Sequence, residues 1–209
     1  MREIFKNICT PERNVSPEVL NKVLELAVEL AREGREGRKI GTLFTVGDER
    51  RVMELSRPLI LDPLFGHADI LKRIDNPDMR ETVKELAQLD GAFVISNEGV
   101  VISAARYLEA LPHGIDLPLG LGTRHIAAAA MSRHTNCVAV VVSTSSVVRV
   151  FDDGEIIGEI LPELWLISRA SSYIPTPHFE ESPEEKLTVV VKEKDSPSQL
   201  GEGSPKHHN

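Results

Sequence analysis

The sequence predicts an α/β fold in which a single mixed β-sheet is packed by helices. Three observations carry this. Two amphipathic helical periods, at 16–33 and 78–89, alternate with short apolar β-rich runs in the first half of the chain. Pairs of β-rich runs joined by turn residues follow, at 90–104 and 137–160, and read as antiparallel hairpins. Hydrophobic residues make up 41% of the 209, enough for a real core, and no apolar run approaches the ~20 residues that cross a bilayer. Helix–strand alternation and hairpins in one chain are reconciled by a mixed sheet.

The elements follow in order. In 16–33, Ser16 can cap a helix, Pro17 suits its first position, and Gly34 suits its end. Leu20, Val23, Leu24, Ala27, Leu30 and Ala31 share its apolar face. Residues 39–48 read as a buried strand ending in a turn, 48–55 as a short helix, and 56–67 as an irregular apolar loop or edge segment. In the helix at 78–89, Met79, Val83, Leu86 and Ala87 form the stripe. Asn97-Glu98-Gly99 turns the hairpin at 90–104, and 105–123 is a long Pro- and Gly-rich connection. The alanine run in 124–134 allows close helix packing. Residues 137–143 form a strand buried on both faces, 147–151 returns beside it, and Asp152-Asp153-Gly154 leads into 155–160. Beyond about 180 the chain is polar and poorly patterned, although 187–191 could add an edge strand. The expected organisation is an N-terminal extension at 1–14, one domain at 15–178, and a loosely ordered polar tail at 179–209.

Composition narrows the function. The net charge of −8 argues against a general nucleic-acid binder, without excluding a local basic pocket. Cys9 and Cys137 make neither a disulfide framework nor a zinc site. The N-terminus is too polar for a secretory signal, so a soluble, cytoplasmic protein is expected.

Three segments could carry chemistry. In Gly120-Leu121-Gly122-Thr123-Arg124-His125, glycines precede a helix whose N-terminus offers unpaired N–H groups to an anion. Thr123 can donate a hydroxyl hydrogen bond, Arg124 can bind phosphate bidentately, and His125 can donate to phosphate or bind a metal. The same residues also suit a plain helix start with surface charges, and they are neither a Walker A loop nor a dinucleotide fingerprint. Asp90-Gly91-Ala92 is either a turn or a carboxylate at a strand start that could orient or deprotonate a hydroxyl, or hold a metal. Ser143-Thr144-Ser145-Ser146 is either ordinary turn chemistry or a set of ligand-facing hydroxyls. His67, His113 and His134 suit surface or packing positions.

Together, Asp90-Gly91-Ala92, then Gly122-Thr123-Arg124-His125 opening an alanine-rich helix, then an apolar strand ending at Ser143, resemble the diadenylate cyclase (DAC) domain family, in its archaeal form. The segments 33–48 and 58–67 add to the resemblance, which covers about 15–170. It implies that two ATP molecules are joined into cyclic di-AMP with release of two pyrophosphates. Asp90 resembles the acid that activates the ribose 3′-hydroxyl, and Gly91 and Ala92 would line the nucleotide pocket through their backbone. Leu108 resembles an adenine contact, Gly122, Thr123, Arg124 and His125 the phosphate-binding segment, and Ser143 a hydroxyl near the phosphates. Each site would hold one ATP, so two sites must face each other in a two-fold pair, and a monomer is expected to be inactive.

The family implies a divalent cation, Mn²⁺ or Mg²⁺. The turn at Ser143–Ser146 has no carboxylate where many bacterial members carry acids, so the ion is expected on the ATP phosphates with Asp90 or His125. Ile126 stands where many bacterial members place a second arginine. With no helix-hairpin-helix region and no membrane helix in view, neither DNA nor membrane is an expected partner. The alternative is a catalytically weak or inactive module that binds ATP or cyclic di-AMP.

Overall fold

The computed structural model describes residues 5–111, 113–161, 177–182 and 187–192. The helices are α1 (Pro17–Glu33), α2 (Glu49–Glu54), α3 (Pro77–Leu86) and α4 (Thr123–His134). The strands are β1 (Thr42–Val46), β2 (Ser56–Pro58), β3 (Ala92–Ile95), β4 (Val101–Leu108), β5 (Val138–Val142), β6 (Val148–Asp152), β7 (Glu155–Leu161), β8 (Pro177–Ser182) and β9 (Leu187–Lys192). They form one nine-stranded sheet in the order β2-β4-β3-β1-β5-β6-β7-β9-β8. Among the described strands only β1 and β3 pair in parallel, joined by a crossover through α2 and α3, and the other pairs are antiparallel. The α/β mixed sheet expected from the sequence is the observed fold.

Period-2 alternation sorts the side chains into two layers. Phe44, Phe93, Val140 and Val150 face the layer of α1 and α3, while Leu43, Val94, Val141 and Phe151 face α4 and α2. Helix α1 is held mainly by packing. Leu20, Leu24 and Leu30 are fully buried, each contributing about 1.5–3 kcal/mol. The Ser16 cap bond to Val19 is long at 3.4 Å. On the opposite face the alanine run brings α4 close to the sheet, with Ala128, Ala129 and Ala130 all fully buried.

Three expectations are corrected. Residues 105–108 belong to β4, where 106–108 pair with Ser56–Pro58, so Leu108 is a strand residue and not part of a connection. Within the expected extension at 1–14, the described part from Phe5 onward packs with the domain, because Phe5 and Ile8 are fully buried in the α1 layer. The sheet also runs past 178. β9 covers the free edge of β7, with Val189, Val190 and Val191 buried, and β8 forms the edge. The physical reason is that β7 would otherwise present an unpaired edge, which the apolar run at 187–191 is suited to close. The rest of the expected tail, 183–186 and 193–209, lies outside the described residues.

Candidate nucleotide site

At the C-terminal end of β5, the β5–β6 turn and the start of α4 enclose a cleft of about 380 Å³, within the range of small-molecule sites. Gly122 is the N-cap of α4 and no side chain caps the helix, so its first N–H groups and positive dipole end open toward the cleft. Thr123, Arg124 and His125 line one wall, and Ser143, Thr144 and Ser145 line the other. The turn is tight: Ser146 N–H donates to the Ser143 carbonyl at 2.9 Å with φ +64° at Ser146, and the Ser143 and Ser145 hydroxyls bond each other at 2.9 Å. Arg149, on β6, completes the floor. Among the described lining residues every ionisable group is basic, in a chain of net charge −8. Such a cleft attracts an anion.

Arg124 joins the cleft to Asp90. Its Nη2 donates to Asp90 Oδ1 at 2.9 Å, with side-chain exposures of 39% and 87%, so the carboxylate stands at the rim, open to solvent. Close approach puts Arg124 there. A Cβ on Gly41 would lie 3.0 Å from Arg124 Nη1 and 3.1 Å from Thr144 Cγ2, so any larger residue crowds the guanidinium.

Asp90 is placed by a distortion of the β3–β4 pair. Between Ala92↔Arg106 and Val94↔Ser103, β4 contains one extra residue, with Ala105 at φ +53°. Gly91, at φ +107°, packs on that bulge so closely that a Cβ would lie 2.6 Å from the Ala105 carbonyl carbon. Only glycine fits there. Arg106 secures the bulge: its Nη2 donates to the Ser56 carbonyl at 2.6 Å and to Met53 O at 3.2 Å, tying α2 and β2 to β4.

His125 is buried, 7% exposed, edge-on to Phe151. Arg149 Nη1 donates to its Nε2 at 3.2 Å. Burial first, and the Arg149 charge second, lower its pKa to about 4, so the ring is neutral near pH 7. Burial pushes the Cys9 and Cys137 thiols up to about 12, which makes both core groups rather than nucleophiles.

The structure therefore brings Gly122, Thr123, Arg124, His125 and Ser143 into one cleft, with Asp90 at its rim. Gly91, Ala92 and Leu108 do not line it. Ala92 and Leu108 lie in the apolar cluster that also receives Leu121 from the cleft wall. Arg149 and Glu159 escaped the sequence reading. The available signal was a charged residue at an inward position of a strand, since Arg149 alternates with Val148 and Val150 and shares the side of Phe151.

A divalent ion finds a limited donor set. Among the described residues no three His, Cys, Asp or Glu side chains cluster as a metal site. Asp90 fits as a ligand to a phosphate-borne ion, being exposed and acidic. His125 fits poorly, because its Nε2 already accepts from the Arg149 cation.

The family model described as "DAC: DisA bacterial checkpoint controller nucleotide-binding" matches residues 29–156, well over half of the chain. The chain belongs to the DAC family. The DAC match takes in Asp90, the first turn of α4, Ser143 and Arg149, and it ends short of Glu159. A diadenylate cyclase of Methanocaldococcus jannaschii is 48% identical over 161 residues, covering 77% of this chain and 50% of that protein. A diadenylate cyclase of Haloferax volcanii is 45% identical over 150 residues, covering 71% and 55%. The chain thus spans about half the length of the curated relatives it matches. Among solved structures, the crystal structure titled a hypothetical membrane spanning protein from Bacillus cereus shares the fold, with a TM-score of 0.50 at 21% identity over 66% of this chain and 62% of that one. Among the described residues of this DAC protein, no helix is long and apolar enough to cross a membrane.

Proposed function

We propose that the protein is a diadenylate cyclase that joins two ATP molecules into cyclic di-AMP and releases two pyrophosphates. The observation that carries this is the cleft itself: basic walls without a carboxylate, an uncapped helix N-terminus, and Asp90 held at the rim by Arg124. The phosphates bind at the first turn of α4, with Thr123, Arg124 and the Ser143 hydroxyl as donors. The adenine lies toward Gly91, Ala92 and Leu108, reached through the apolar side of Leu121.

Each protomer positions one ATP. The 3′-oxygen of one nucleotide attacks the α-phosphorus of the other, forming a P–O bond as the bond to pyrophosphate breaks. Asp90 takes up or orients the 3′-hydroxyl proton, and the second half-reaction repeats this in the opposite sense. Because Asp90 sits at the rim, it acts where a facing site presents its nucleotide. Exposed Leu119 and half-exposed Ile126, beside the cleft mouth, are apolar surface suited to a second copy of the chain. A divalent ion, Mn²⁺ or Mg²⁺, would be held by the ATP phosphates with Asp90 and would offset phosphate charge. ATP as substrate suits a cytoplasmic protein, and the proposed reaction requires neither DNA nor a membrane.

The test is incubation with ATP and Mn²⁺ or Mg²⁺, with products read by chromatography and mass beside Asp90→Asn. Cyclic di-AMP from the wild type only is expected. Folded, ATP-binding protein that yields none at any concentration would sink the reading. It would favour instead a binding module without turnover, which the acid-free turn at Ser143–Ser146 already makes the second reading.

A further inference from the structure

Behind the cleft three buried polar residues form a chain across three elements. Glu159 on β7 stands opposite Arg149 on β6, and Arg149 Nε donates to Glu159 Oε1 at 2.7 Å. Arg149 Nη1 donates to His125 Nε2 on α4 at 3.2 Å. Their exposures are 4%, 9% and 7%. A buried ion pair recovers little more than its own desolvation, and an apolar pair of similar volume often serves stability as well. Stability is therefore a weak reason for a charged pair at this depth, whereas a place in the cleft floor is a specific one.

The protonation pattern is dictated. A guanidinium N–H can only donate, so His125 Nε2 is the acceptor and the neutral ring carries its proton on Nδ1. That Nδ1 is buried, and a backbone hydrogen bond with Gly122 acts on the ring in the direction that raises its pKa.

We propose that Arg149 is a polyphosphate-binding residue of this cleft and Glu159 its positioning residue, the two together holding His125 as a single neutral tautomer. The proposal rests on reading the cleft as the ATP site. A planar fork held at two of its nitrogens is fixed in direction, which a lysine could not reproduce. Its depth also matters: Arg124 is a half-exposed cation at the rim, whereas the Arg149 side chain, 10% exposed, meets the anion where water screens less. Arg149 thus adds a directed guanidinium donor on β6 to those at the helix start, with Glu159 balancing its charge.

The experiment has two arms. In the nucleotide-free protein, ¹⁵N NMR of the His125 ring is expected to show one neutral tautomer protonated at Nδ1. That signature should be lost in the paired variant Arg149→Met with Glu159→Gln, which removes both charges and strands neither. In the second arm, ATP and adenosine are titrated into wild type, the paired variant and Arg149→Lys. ATP binding should weaken roughly tenfold or more in the paired variant and by less in Arg149→Lys, with adenosine unchanged. A folded paired variant with wild-type ATP affinity, or a wild-type ring protonated at Nε2, overturns the proposal. If the paired variant does not fold, Arg149→Lys decides: unchanged ATP affinity and an unchanged ring signal overturn it equally. Wild-type protein that binds no ATP would instead sink the ATP-site reading and the polyphosphate role with it, while the ring signal still decides the Glu159–Arg149–His125 arrangement.

Discussion

Asp90 and Arg124 touch at the rim of the cleft, but their roles separate under mutation. In the proposed reaction Asp90 is the base, so Asp90→Asn, which keeps the shape, should still bind ATP while cyclic di-AMP formation is abolished, as calorimetry and product analysis would show. Arg124→Ala would remove the proposed charge-assisted phosphate contact and should weaken ATP binding by roughly 10- to 100-fold, measurable by the same titration. His125 sets a pH dependence. Its pKa falls from 6.5 to about 4 on folding, so between those values the unfolded chain binds a proton that the folded one refuses. Its contribution is fully present above pH 6.5 and is lost as the pH falls toward 4. At about 1.4 kcal/mol per pH unit, the loss is on the order of 3 kcal/mol. Urea unfolding at pH 7 and pH 4.5 should show this component in wild type and not in His125→Gln. A slope shared by both would assign it to the carboxylates.

Among the elements, the bulged β3–β4 pair has the narrowest tolerance. Gly91→Ala would drive a methyl into the Ala105 backbone at a positive φ, so about 2 kcal/mol or more should be lost. Activity should fall further than stability, since Asp90 rides on this backbone. The start of α3 offers a milder contrast. Asn76 caps it by accepting from Asp78 N–H at 2.9 Å, and Asn76→Ala should cost about 1 kcal/mol in thermal unfolding with no effect on ATP binding.

For the whole molecule, two predictions concern what the sheet and the site require beyond themselves. Removal of 177–209 would strip β9 and β8 from the sheet and free the edge of β7, with loss of the buried Val189, Val190 and Val191. At about 1.5–3 kcal/mol for each such side chain, the melting temperature should drop clearly and aggregation should rise. Activity that needs two facing sites should also fall faster than protein concentration on dilution. Specific activity that is constant across a wide dilution range at constant ATP would show instead that pairing is permanent or not required.

By itself the sequence determined most of the elements and the motif positions of the site. Helical period, capping residues and turn residues are local signals, and α1, α3, β5 and the hairpin at 90–104 follow from them. Asp90, Thr123, Arg124, His125 and Ser143 were legible as a combination of motifs. The tertiary structure decided what those residues touch. It set Arg124 on Asp90 across 34 positions, made β4 long by pairing it with β2, and turned part of an apparent tail into two strands. It also placed Glu159, Arg149 and His125 in contact, on β7, β6 and α4. A strand's pattern says which side a residue faces, but not what another element brings to meet it. That depends on register and packing, which exist only once the chain has folded.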